Sequence, residues 1–145
     1  MRKYLLFGLY ITAVCAIIYS CQNTSEMNQA QYMTGGKDLY IANCQNCHGA
    51  NGEGLGELAP PLTDTIFLTK NKEKLACFIK NGANEPMVIN GKTYEGKMPD
   101  FANLHDIDIA QVIVYITNSF GNKQGMYTYQ QVAIDLQKCN SAKNP

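Results

Sequence analysis

Cys44-Gln45-Asn46-Cys47-His48 sets two thiols and an imidazole in the spacing C-x-x-C-H. That spacing suits covalent attachment of a c-type haem. Each sulfur can form a thioether with one vinyl group of the macrocycle, and the histidine that follows is held beneath the iron as its proximal axial ligand. Two other chemistries use parts of the pattern. A thioredoxin-like dithiol would start a helix after a strand, and no strand-rich βαβ alternation precedes Cys44. A structural zinc site would want a second pair of ligands at similar spacing, whereas Cys77, His105 and Cys139 stand singly.

Further residues frame the pentapeptide. Gly36 and Tyr40 precede it; Gly49, Gly52, Gly54 and Pro60-Pro61-Leu62 follow, and Lys97-Met98-Pro99 stands further on. With these the segment from Gly35 to Gly121 resembles a class I cytochrome c. The resemblance implies an all-α cytochrome c fold, a few helices around one haem c bound covalently through Cys44 and Cys47. It further implies His48 and Met98 as the two metal ligands. The carbonyl of Pro60 or Pro61 would accept a hydrogen bond from His48 Nδ1 and so fix the ring and raise its basicity. The first and last core helices are expected to cross, with Gly36 against Tyr115.

The sixth ligand has rivals. Met98 lies in a loop stiffened by Pro99, while Met87 reads as part of an extended run. Met126 follows the core, and Met27 and Met33 precede the first helix. His105 stands beside Asp106 at an expected helix start, which suits a cap better than a ligand. An iron filled on both sides by His48 and Met98 favours a one-electron carrier between redox partners over a catalyst. A haem subunit of a larger periplasmic oxidoreductase or oxidase uses the same residues, and a gas sensor or peroxidase would require Met98 to dissociate.

Several elements must position these groups. A helix is expected from Gly35 to Cys47, with Tyr40 and Leu39 on its buried side. A Gly/Pro-rich wrap follows from residue 50 to 69, then a second helix over 71–80 ended by Asn81-Gly82. Asn90-Gly91 predicts a small hairpin within Met87 to Tyr94. Ile109, Val112, Ile113 and Ile116 recur at core spacing in a helix over 106–118. Thr128-Tyr129-Gln130-Gln131 resembles a capping box opening an appended helix that ends near Cys139. Cys77 and Cys139, used by neither haem nor lipid, are the disulfide candidates. Lys92 and Lys97 flank the expected distal loop and suggest a contact for an acidic partner.

The 145 residues suffice for one domain. Arg2-Lys3, the apolar run Leu5 to Ile18 and the following small or polar residues read as an export signal, residues 1–20. The run falls short of the roughly 20 residues a spanning helix needs. Ile18-Tyr19-Ser20-Cys21 loosely resembles a bacterial lipobox, with Tyr19 larger than that pattern prefers. Cys21 is therefore the lipidation candidate, and residues 21–34 read as a flexible tether holding the domain at a membrane that faces the periplasm or cell surface. Residues 35–121 form the expected domain, and 122–145 an extension. Twelve basic and twelve acidic residues cancel, which argues against nucleic acid as a partner. A monomer that meets its redox partners transiently is expected.

Overall fold

The computed structural model describes the backbone of residues 2–143, and the side chains of all of these except 2, 5, 18–25 and 140–143. It divides into two compact units, residues 1–31 and 32–145. The boundary falls inside helix α1, Arg2–Asn43. In the first unit Tyr4, Leu6, Phe7, Leu9 and Tyr10 are exposed. No helix among the described residues is long and apolar enough to cross a membrane.

The expected flexible tether is a departure, because residues 21–34 are helical. From Gln22 to Thr34 the chain holds no proline or glycine, and Met27, Gln29, Ala30, Gln31 and Met33 are good helix formers. Cys21 lies on this stretch, and its side chain is outside the described residues.

In the second unit α1 leads into the single turn α2, Gln45–His48. The wrap that follows is not wholly irregular, since it ends in helix α3, Thr65–Lys70. Asp64 caps this helix, its Oδ1 accepting from the Phe67 amide at 3.0 Å. A 3-10 turn, Lys72–Lys74, runs into α4, Leu75–Asn81. Strands β1, Met87–Ile89, and β2, Lys92–Tyr94, form an antiparallel hairpin around Asn90-Gly91 with Val88 opposite Thr93. Asn90 at φ 51° and Gly91 at φ 75° supply the positive angles such a two-residue turn needs.

Helix α5, Asp106–Asn118, is the centre of the core. Ile109, Ala110, Val112, Ile113, Val114 and Ile116 are all buried, as expected for a helix covered on several sides. It packs against α4 and against α6, Tyr129–Lys143. The α6 cap is reciprocal: the Thr128 amide donates to Gln131 Oε1 at 2.8 Å, and the Gln131 amide donates to Thr128 Oγ1 at 3.4 Å. Val132 on α6 is fully buried. A disulfide joins Cys77 on α4 to Cys139 on α6, with Cα atoms 6.1 Å apart, within the ordinary range for such a bridge.

The C-terminal part of α1 meets α5 at Gly36. A side chain there would collide with the carbonyl oxygen of Gln111 and lie 2.8 Å from Tyr115 Cβ. Only a residue without Cβ lets the two backbones come so close, which accounts for a glycine inside the helix at this position.

Candidate haem-binding site

The chemistry-bearing residues converge on one cavity of about 360 Å³ inside the second unit. Its lining is mostly apolar, with Leu62, Phe67, Leu68, Phe78, Ile79 and Val112 among the walls. Cys44, Cys47 and His48 line it from the end of α1 and from α2, and Met98 lines it from the loop after β2. The α2 turn folds as it does because its amides find partners in order: Cys47 and His48 both donate to the Cys44 carbonyl, at 3.1 and 2.9 Å. That turn brings both thiols and the imidazole to one cavity.

His48 Nδ1 lies 3.0 Å from the Pro60 carbonyl oxygen. The carbonyl can only accept, so Nδ1 carries the proton and Nε2 keeps its lone pair when the ring is neutral. Burial lowers the His48 pKa, and the Pro60 bond opposes that shift. Pro60 also lines the cavity. Pro61 makes no such bond; its ring nitrogen packs near Gly54. Burial, with Cys47 adding to it, pushes the Cys44 thiol up to about 11.

Tyr40 holds the turn from the other side. Its hydroxyl donates to the Gly49 carbonyl at 2.6 Å, and its ring packs tilted against Tyr115 and Phe120, centroids 5.3 and 5.4 Å away. Burial is the main reason its pKa is raised. Gly49, at φ 83°, lets the chain leave α2, and the Gly54 amide then bonds back to the His48 carbonyl at 2.8 Å.

Met98 is fixed through its backbone. Its amide donates to the Ala83 carbonyl at 2.8 Å, and its carbonyl accepts from the Ala83 amide at 3.0 Å. Met87 reaches the same cavity from β1, so lining alone does not separate the two thioethers. His105 is remote from the cavity and caps α5: its amide donates to Asp108 Oδ2 at 2.9 Å, and its side chain is 86% exposed. Cys77 and Cys139 stand behind the cavity wall, their disulfide tying α6 to the helix that contributes Leu75, Phe78 and Ile79. Leu55, Leu58 and the Ala83–Met98 pairing were not singled out from sequence; the pairing joins distant segments and leaves no local signal.

The residues fit a covalently held macrocycle: two thiols, a lone-pair imidazole nitrogen and thioether sulfur border a mostly apolar chamber. Fold and site together define a class I mono-haem c-type cytochrome. The chain belongs to the family described as cytochrome c oxidase, cbb3-type, subunit III, whose model matches residues 31–116. It is similar to cytochrome c-552 of Thermus thermophilus, 33% identical over 91 residues, 60% of this chain and 69% of that protein. It also resembles the cytochrome c subunit of the quinone alcohol dehydrogenase of Gluconobacter oxydans (29% identity) and the cbb3-type cytochrome c oxidase subunit CcoP of Cereibacter sphaeroides (31% identity). These alignments cover 70% and 68% of this chain but only 21% and 31% of those proteins. One haem c is bound covalently, and the domain carries electrons without itself being catalytic, whether as a free carrier or as part of a complex.

Proposed function

We propose that this protein passes single electrons between periplasmic or membrane-bound redox partners, with His48 and Met98 as the axial ligands and Cys44 and Cys47 as the points of attachment. The observation that carries the reading is the convergence of His48 and Met98 on one apolar cavity from two separate segments, with both thiols beside them. When bound, the haem supplies an iron that gains and loses one electron. The chain's own residues do the rest. Pro60 orients His48, the Ala83 pairing holds the Met98 loop, and the apolar walls exclude water. A methionine opposite histidine favours the reduced state and raises the potential. Met98 is preferred over Met87 because it stands in the Lys97-Met98-Pro99 loop on which the cytochrome c resemblance rests, whereas Met87 belongs to strand β1.

In this reading Cys21 carries lipid after removal of residues 1–20, and the monomeric domain faces the periplasm or cell surface from a bacterial membrane. The test is a potentiometric titration of the haem-loaded protein together with exposure of its ferrous form to carbon monoxide. A single one-electron wave and inertness to carbon monoxide are expected. Rapid carbon monoxide binding would instead indicate an open site and a sensor or peroxidase.

A second reading, as the haem subunit of a larger oxidoreductase, draws support from relatives named as subunits of an alcohol dehydrogenase and of an oxidase. Co-purification of a second redox protein in mild detergent would favour it, and elution alone would favour the free carrier.

A further inference from the structure

Two short segments form the rim of the cavity. In the first, the Leu55 amide donates to the Ala59 carbonyl at 3.0 Å, closing a turn. The second packs on it: the Glu95 amide donates to the Glu57 carbonyl at 3.2 Å, and Gly96 leaves no room for a Cβ against the Leu58 carbonyl. Leu55 and Leu58 line the cavity yet are 50% and 64% exposed. Both therefore stand at the mouth, where the cavity wall meets the protein surface beside the site through which an electron must pass.

The charge around them is acidic. Glu57 and Glu95 stand on the two paired segments, Glu85 lines the cavity itself, and Glu53 lies two residues before Leu55. All four are exposed. Among the described residues the ion pairs involve His105, Asp108, Lys138, Glu73 and Asp135, and none of these glutamates. The lysines of these segments are Lys92 and Lys97. Lys92 is drawn inward, its Nζ donating to the Gly56 carbonyl at 3.1 Å and lying 5.4 Å from the Tyr94 ring centroid. Lys92 is thus tied to the Gly56 carbonyl, whereas Lys97 lines the cavity and is exposed.

We propose that this rim docks a redox protein with a lysine-rich face, Leu55 and Leu58 forming the apolar centre of the contact and Glu57, Glu85 and Glu95 its charged surround. The inference rests on the electron-carrier reading above. Within the encounter one electron leaves the ferrous protein and reduces the oxidised centre of the partner, and no covalent bond changes. Charge complementarity of this kind speeds encounter and is screened by salt.

The test uses the haem-loaded, reduced protein, whose visible spectrum is recorded on the same sample. Two redox-inert paramagnetic ions, cationic tris(ethylenediamine)chromium(III) and anionic hexacyanochromate(III), are titrated while amide signals are followed by NMR. The cation should broaden residues 55–58, 85 and 95–97 first, and the double variant Glu57→Gln/Glu95→Gln should lose most of that broadening with an unchanged visible spectrum. Electron exchange with a lysine-rich small redox protein should slow about tenfold between low and physiological salt, and exchange with a glutamate-rich one should not slow. Preferential broadening of the rim by the anion, or faster exchange with the acidic protein at low salt, would overturn the proposal while leaving the carrier reading intact. A sample without a c-type spectrum would mean that the underlying reading has failed.

Discussion

Gly36 faces the backbone of Gln111 so closely that a methyl group on it would collide with the Gln111 carbonyl oxygen. This contact fixes the crossing of α1 over α5, and α1 delivers Cys44 to the cavity. Gly36→Ala should therefore destabilise the haem-loaded protein by about 1–3 kcal/mol, read as a lower denaturant midpoint with unchanged slope. The sign is informative, since at an open helical position the same change stabilises by up to about 1 kcal/mol.

The Cys77–Cys139 disulfide closes a long loop, with a sequence separation of 62. The double variant Cys77→Ser/Cys139→Ser should lose about 4 kcal/mol through the freer unfolded chain. Chemical denaturation followed by far-ultraviolet circular dichroism measures this. Because α4 contributes cavity wall and α6 does not, the variant should keep its haem spectrum under native conditions.

Tyr127 is buried, and its hydroxyl donates to Asp135, which Lys138 also contacts at 2.9 Å. Tyr127→Phe should cost about 1.5–3 kcal/mol, the usual range for a hydrogen bond to a charged group. Burial, followed by the Asp135 bond, raises the Tyr127 pKa above its ordinary value of 10. The stabilisation therefore belongs to the protonated phenol: it is complete below about pH 10, where the unfolded side chain titrates, and is lost as pH rises towards the folded pKa. Stability measured from pH 7 to 9 should be insensitive to this group. The loss above pH 10 should be smaller in Tyr127→Phe, with Tyr40, raised mainly by burial, accounting for part of what remains.

His105 is the only histidine besides His48, so its removal tests bis-histidine ligation directly. His105→Ala should leave the oxidised and reduced visible spectra unchanged. It should change stability by no more than about 0.5 kcal/mol, because the bond to Asp108 comes from the backbone amide that alanine keeps, measured by thermal unfolding.

Local signals were legible where chemistry and spacing coincide. Asn90-Gly91 marks the hairpin, the four isoleucine and valine positions mark α5, and Thr128 with Gln131 marks the start of α6. The Cys77–Cys139 pair stands out because Cys44 and Cys47 belong to the haem motif, and Cys15 and Cys21 to the expected export signal and lipidation site. Helix α3 is masked by the glycine- and proline-rich stretch around it, although Asp64 before Thr65-Ile66-Phe67-Leu68 is an N-cap signal. The choice between Pro60 and Pro61 needed the path of the chain between Gly54 and Leu62, which composition does not encode. The pairing of Ala83 with Met98 joins segments whose sequences show nothing of it. The upstream extent of α1 is hidden by the polarity of residues 22–34, which suggests a tether although several of these residues favour helix.

The most direct measurement is the far-red absorption of the oxidised, haem-loaded protein in wild type, Met98→Ala and Met87→Ala. A weak sulfur-to-iron band is expected in wild type and Met87→Ala, and its loss in Met98→Ala together with a lower potential. A band that survives in Met98→Ala, or disappears in Met87→Ala, would contradict the assignment of Met98 as the sixth ligand.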